Sequence, residues 1–415
     1  MSRKRWIILC SVVACLVLSM SASGVVGAAA KGKVTNIMQQ MPGWGPTEFP
    51  IKTVVSGYNL RHPGINVEIN TGVDWNALQM EWKVGKTSVD LMWGDTTEYY
   101  GRGGPDVLAD WDQFVGAGFK DTIFKSMIPG LYPFGKLIGV PLLVELASLS
   151  YRKDLLKEAG LPGPPKTWDE FYAYAKKMHN PKEGIFGMSM DVVQSAGFTA
   201  EVYIPMLQSM TGKVYSKDQV IDSTSKEAVQ IFKMIQKWYK EGLIPEAALM
   251  WATADMYKGG NVAQIINWQS RAQWAMSVLG DDVAVAPLPS GGHGGSLIAV
   301  HALFMPKFSK VMKEAGAYGV EFSQNSILQE GMIAAGKLPP YKSWYVKGKV
   351  PDWMLGFKDN IDNSVIRPST PWEGESEDIL GYAIIQVLKF DKSPEEALKE
   401  ATSKIQNAVA KAKQK

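Results

Sequence analysis

A chain of 415 residues is long enough for two or three ordinary domains, and 46% hydrophobic against 20% charged residues excludes a disordered chain. Its 44 Lys and Arg against 41 Asp and Glu give a formal +3, without the basic excess of a nucleic-acid binder. With 2 Cys and 4 His, a disulfide scaffold, a four-cysteine zinc site and an iron–sulfur cluster are excluded by count.

The N-terminus reads as a secretory signal peptide over residues 1–28. Arg3, Lys4 and Arg5 form its basic region, Trp6 to Met20 its apolar run, and Val26-Gly27-Ala28 or Ala28-Ala29-Ala30 its small-residue cleavage site. The apolar run is short for a membrane span. A lipid anchor at Cys15 is disfavoured, because Leu16, Val17 and Leu18 follow it rather than a polar tether. Removal of the leader takes away three basic residues and both cysteines, which leaves a mature chain of net charge 44 − 3 − 41 = 0 with no thiol. The expected location is periplasmic or extracellular.

Lys33 to Gln40 is expected to be a first strand. Glu48 to Arg61 has helical spacing, with Phe49, Val54, Val55 and Tyr58 toward one side, and stops at His62-Pro63-Gly64. Ile65 to Ile69 alternates as a half-buried strand does, and Val89 to Trp93 is a short strand closed by Gly94-Asp95. Leu137 to Tyr151 is an apolar stretch holding Pro141 and one charge, Glu145. Lys153 to Ala159 is helical. Thr167 caps the next helix, with Glu170 at the capping-box position. Ser225 to Glu241 is a long amphipathic helix, Val262 to Asn267 and Val283 to Ala286 are strands, and Ser393 and Pro394 open a final helix to Ala410. Alternating strands and helices predict an α/β protein with largely parallel sheets in two lobes.

Catalytic motifs are absent. There is no phosphate loop, no dinucleotide fingerprint and no nucleophile elbow, and His62, His179, His293 and His301 have no metal-ligand spacing. His301 as a ligand or base is weighed against a structural histidine, and the structural reading is preferred. Gly291 to Gly295 follows Pro287-Leu288-Pro289 and reads as a surface loop. No cofactor is expected. The positive signal is the 14 Trp. Trp44, Trp75, Trp93, Trp268 and Trp372 fall in loops or at strand ends beside Glu48, Asp74, Asp95, Asn267 and Glu373. A flat ring beside a carboxylate or amide suits a sugar, covering its C–H face while the polar group takes its hydroxyls. Trp82, Trp168 and Trp238 lie inside helices and are expected to be core.

Gly139 to Leu156 (GVPLLVELASLSYRKDLL) and Pro165 to Phe171 resemble the crossover segment of maltose-binding-protein-like extracellular solute-binding proteins, which serve ABC importers; Arg152 stands where that pattern has Asn. His62 to Val67, Asp90 to Trp93, Asn261 to Trp268 and Pro394 to Leu398 match further stretches in the same order. The resemblance implies a type II periplasmic-binding-protein fold: two α/β lobes, crossover strands acting as a hinge near Val144, Ala299 and Pro340, and an interlobe ligand cleft. It divides the chain into an N-terminal lobe of 31–143 plus 300–340 and a C-terminal lobe of 146–298 plus 342–415. The implied partners are a carbohydrate ligand and the permease subunits of the transporter, with the protein a monomer and not an enzyme. The expected ligand-binding residues are Trp44, Glu48, Trp75, Asp95, Glu145, Asn267, Trp268, Trp372 and Glu373, with Trp44, Trp268 and Trp372 stacking on the ligand. Glu145 either makes a structural ion pair, with Arg152 or a distant Lys, or faces the cleft and accepts hydrogen bonds from sugar hydroxyls. The rival readings of the whole are a secreted carbohydrate-active enzyme and a binding protein for a non-sugar solute such as a polyamine.

Overall fold

The computed structural model describes residues 34–43, 45–98 and 104–414. The expected leader, both cysteines and Trp44 lie outside the described residues. Among the described residues nine strands form: β1 (Thr35–Gln40), β2 (Ile65–Asn70), β3 (Leu91–Asp95), β4 (Gly139–Arg152), β5 (Ser189–Met190), β6 (Gln264–Trp268), β7 (Val283–Ala286), β8 (Leu297–Phe304) and β9 (Val365–Ile366). The longer helices are α1 (Glu48–Arg61), α2 (Trp75–Lys83), α3 (Trp168–Met178), α4 (Ile204–Thr211), α5 (Lys226–Lys240), α6 (Arg271–Leu279), α7 (Met312–Gln324), α8 (Ser326–Ala334), α9 (Glu373–Lys389) and α10 (Pro394–Lys413).

Strand order is β2-β1-β3-β8-β4-β6-β5, with β7 on β4 and β9 on β8. The architecture turns on β4, whose 14 residues are buried almost throughout, as a strand covered on both faces must be. Its first half, Gly139 to Leu146, pairs with β8, and its second half pairs with β6 and β7. One strand therefore passes from the first sheet into the second. The sheets are mixed rather than largely parallel: β1 runs parallel to β2 and β3, but β3–β8, β4–β8, β4–β6 and β4–β7 are antiparallel. The crossing strands have to return between the two sheets, and this reverses their direction. Val144 and Leu338 exchange backbone hydrogen bonds of 2.8 and 3.1 Å, and Glu145 lies opposite Ala299, so three chain segments meet at the crossing.

Two apolar cores flank it. One collects Ile37, Leu91, Leu143, Phe304 and Tyr318, and also takes Met354, Phe357 and Ile361 from late in the chain. The other collects Leu149, Phe171, Phe198, Phe232, Trp238 and Ile384. Trp82 packs in the first, and Trp168 and Trp238 in the second, as expected for helix-borne tryptophans. Helix starts follow local chemistry. Thr167, Ser225 and Ser393 accept from the backbone N–H groups of Glu170, Ala228 and Glu396, caps worth about 1 kcal/mol each. Glu170 reaches back to the Lys166 N–H (2.7 Å), one residue short of the cap residue that a capping box would bind.

Three expectations shift. In α1, Pro50 and Ile51 join Val54, Val55 and Tyr58 in the core, while Phe49 is 79% exposed; it sits in the first turn, a step round the helix from the buried stripe. β3 begins at Leu91 and includes Gly94 and Asp95 instead of closing at them, because Gly94 and Asp95 pair with Ala302 and His301. β6 starts later than expected and extends to Trp268, opposite Ala147.

Helix α9 crosses the segment at Ser195 so closely that a β-carbon at Gly381 would lie 2.3 Å from the Ser195 carbonyl oxygen. Gly381→Ala is therefore expected to destabilise the protein by roughly 1–3 kcal/mol, as overpacking does. Denaturant unfolding of this single variant measures it; an unchanged midpoint would show that the helix can back away freely.

Candidate functional site

A cavity of about 570 Å³ opens beside the crossing strands. Its lining includes Asp95, Glu98, Glu145, Glu201, Trp268, Ser270, Arg271, Trp274, His301, Lys337 and Arg367. Acidic and basic groups both line it, and its buried carboxylates are each answered by a cation.

Glu145 leaves the middle of β4 and forms an ion pair with Lys337. The same carboxylate accepts from Gln269 Nε2 (2.8 Å) and Ser270 Oγ (3.0 Å). The expected ion pair forms, with a distant lysine, and the same side chain lines the cavity. Arg152 is not the partner, being engaged with Asp154.

Asp95 ends β3 and pairs with Arg367 (3.2 Å), whose other guanidinium nitrogen reaches Glu377 of α9 (3.3 Å). Burial would raise the Asp95 carboxyl, but Arg367, His301 and two hydrogen bonds from Thr97 together hold it below the ordinary aspartate range. Behind this pair, Glu373 is pushed up to about 8 by burial and by the adjacent Glu377 charge, with Tyr215 Oη donating to it at 2.7 Å.

Glu201 sits in a π-helical turn, Thr199–Tyr203, of the kind that often re-aims a side chain at a site. Arg271, the first residue of α6, clamps it with two hydrogen bonds of 3.0 and 2.9 Å and also reaches Asp191 (3.2 Å). Burial outweighs Arg271 and pushes Glu201 up to about 7. Trp268, on the same lining, partly offsets that rise. Arg271 and Trp274 are three apart on α6 and so share a face. Trp93 donates to Nδ1 of His301 (3.3 Å), which makes that nitrogen an acceptor, and burial holds His301 below the usual histidine range.

Of the expected ligand residues, the fold brings Asp95, Glu145 and Trp268 together at this cavity. Glu48 is outside its lining, at the start of α1 with Lys52 as partner (3.0 Å). Trp75 opens α2 and packs on the first core. Asn267 is buried in β6 and is not part of the cavity lining. Trp372 precedes α9, donates to the Gln219 carbonyl (3.2 Å) and lies under Lys413. Glu373 is one step removed, behind Arg367. Arg271, Trp274, Lys337 and Arg367 were not anticipated, and His301, read as structural, lies in the lining. Glu201 carried the same signal as Glu145, a lone carboxylate in an apolar run, Phe198 to Leu207. The cations carried none, since each is one of many surface-type Lys and Arg until the fold supplies its partner. Among the described residues no group of His, Cys, Asp and Glu could hold a metal ion.

Glu201 ordinarily titrates near 4.5 and here near 7, so between those values the folded chain holds a proton that the unfolded chain releases. Its stabilising effect is complete at low pH and is lost as pH rises through 7. Relative to Glu201→Gln, the wild type is expected to lose on the order of 2–3 kcal/mol of stability between about pH 5 and pH 8. Unfolding curves of the two proteins across that range test this, and a constant difference would reject it.

The family model for bacterial extracellular solute-binding proteins matches residues 53–355. A probable ABC transporter-binding protein of Deinococcus radiodurans is 27% identical over 318 residues, covering 70% of this chain and 74% of its own. A galactooligosaccharide-binding protein of Bacillus subtilis is 27% identical over 230 residues, covering 50% of this chain and 53% of its own. Among solved structures, maltose-bound MalE3 of T. maritima superposes with a TM-score of 0.77 at 23% identity, over 90% of this chain and 99% of that one. A Thermotoga lettingae solute-binding protein bound with alpha-D-tagatose gives 0.76 at 19% identity, over 91% and 100%. The two cores, the crossing strands and the cavity beside them are the two-lobed type II periplasmic-binding-protein fold, and the chain belongs to the bacterial extracellular solute-binding protein family.

Proposed function

We propose that the protein is the substrate-binding component of an ABC importer, which captures a mono- or oligosaccharide between its lobes and delivers it to a membrane permease without chemical change. The observation that carries this reading is the composition of the cavity. Trp268 and Trp274 offer ring faces, and Arg271, Lys337 and Arg367 offer N–H donors already balanced by Glu201, Asp191, Glu145, Asp95 and Glu377. A site of directional donors and acceptors in compensated groups suits a neutral polyhydroxylated ligand better than a bare polycation such as a polyamine. The names of the relatives and the sugars in the solved structures agree with it.

On this reading the lobes are 31–143 plus 300–340 and 146–298 plus 342–415, with the 354–361 stretch lying against the first core. The protein works as a monomer in the periplasm or outside the cell, after loss of its leader. Ligand that touches both lobes only when they close favours the closed state by those extra contacts, and the permease reads that state. Glu201, at about 7, is the one group a glycoside hydrolase would also want, but Arg271 holds both of its oxygens.

Titrating a panel of mono- and oligosaccharides by thermal shift and calorimetry tests the proposal. A sugar that raises the melting temperature and is recovered intact is the expected result; release of shorter products would make the protein an enzyme. With that sugar, Trp268→Ala is expected to cost about 1–3 kcal/mol of binding. Glu145→Gln strips Lys337 of its counter-charge, so it lowers stability and, if Glu145 also binds ligand, weakens affinity roughly tenfold. Affinity retained in the folded Glu145→Gln protein would make Glu145 purely structural.

A further inference from the structure

Gln269 stands between residues of the cavity lining, Trp268 on one side and Ser270 and Arg271 on the other, yet it is fully buried and outside that lining. It lies where β4 changes partner. Leu146 is the last residue of β4 paired with β8, and Ala147 is the first paired with β6, opposite Trp268. The next rung is made by Gln269 in an unusual way. Its N–H donates to the Leu146 carbonyl (3.0 Å), but the return bond from the Leu146 N–H goes to its side-chain Oε1 (2.5 Å). Its main-chain carbonyl instead accepts from the Ala272 N–H (3.2 Å), in the first turn of α6. A side chain thus completes the rung that the main chain leaves in order to open the helix. The amide nitrogen reaches two further groups, donating to Glu145 Oε2 (2.8 Å) and to the Gly336 carbonyl (3.2 Å), beside Lys337 on the third segment of the crossing. The amide oxygen and both amide hydrogens are engaged. Turned over, the group would set its oxygen against a carboxylate and its NH2 against a backbone N–H.

We infer that Gln269 is a positioning residue for the cleft: its side-chain amide fixes the Glu145 carboxylate and fastens the Trp268–Arg271 edge of the cavity to the crossing strands. The inference rests on the cavity being the site that binds solute. Ser270 and Lys337 both engage Oε1 of Glu145, and Gln269 engages Oε2, so the carboxylate is held at both oxygens and its plane is set. A neutral amide provides this hold without adding a charge that the buried strand would have to answer. The same group ties the turn between β6 and α6 to β4 and to the 336–338 segment, so the two sides of the cavity keep their spacing before any solute arrives.

Two variants test this. Gln269→Met keeps the length and removes the bonds. Gln269→Glu keeps an acceptor for Leu146 but sets a second carboxylate on Glu145; two such groups share one proton, so the added acid still donates to Glu145 near about pH 5 and repels it near about pH 8. Calorimetry uses the α-1,4-linked glucose disaccharide and the β-1,4-linked galactose disaccharide as probes. Gln269→Met is expected to bind roughly tenfold more weakly than wild type at both pH values. Gln269→Glu is expected to lose less than about twofold at the lower pH and roughly tenfold at the higher. Folded variants with a lower unfolding midpoint but wild-type affinity and pH profile would make the amide purely structural, which overturns the inference and leaves the carbohydrate reading standing. Hydrogen exchange on the ligand-free protein decides the positioning without a sugar. In Gln269→Met the amides around Leu146 and in the first turn of α6 are expected to exchange roughly tenfold faster, with those of α1 and α5 unchanged. Should that variant not fold, Gln269→Glu near the higher pH replaces it, with the faster exchange expected in the first turn of α6. A uniform rise, or none, overturns the positioning role. The local change together with a wild type that binds neither disaccharide upholds the positioning and counts against the carbohydrate reading alone.

Discussion

Charge compensation in a space with little water is the constraint on which the rest of the cleft depends. Glu145 is the one carboxylate in a strand that is buried almost throughout, and left unanswered there it would cost several kcal/mol. Lys337 answers it from a segment that reaches the crossing only because Leu338 pairs with Val144. The same logic repeats at Asp95 with Arg367 and at Glu201 with Arg271. Each pair joins elements far apart in the chain, so the ionic groups act as positional ties as well as lining the cavity. Arg367 is the widest such tie, reaching from the end of the first sheet at Asp95 to α9 at Glu377.

On the proposed reading, the arrangement also explains how a cleft full of formal charge could serve a neutral ligand. A guanidinium whose charge is spent on a carboxylate still points N–H groups at its surroundings, and its geometry is fixed before ligand arrives. Little reorganisation is then required on binding, and the lobes can close on a ligand without trapping an uncompensated ion.

Much of the fold was legible because it rests on local signals. Capping residues Thr167, Ser225 and Ser393, the stop at Pro63-Gly64 and the apolar run of β4 mark elements close to where they form. Sheet direction was not legible, since nothing local tells β8 that it will return antiparallel beside β4. The site was legible where a residue violates its surroundings: Glu145 in a buried strand, Trp268 at a strand end. Proximity in sequence did not predict the lining: Trp75 and Trp372, each beside a carboxylate in the chain, lie outside it. Lys337, Arg367 and Arg271 were invisible for the opposite reason, because their role exists only through partners supplied by distant segments.

The pairing of β3 with β8 bears on how the chain acquires its structure. The Trp93–His301 contact at that seam spans 208 positions. The first sheet has β1, β2 and β3 early, yet its next strand arrives only after most of the second lobe has been made. Sheets assembled from such distant partners fold slowly, because the loop must close before the pairing can reward it. During synthesis the first core is therefore left with an open β3 edge for a long interval, which is an aggregation hazard until β8 pairs with it.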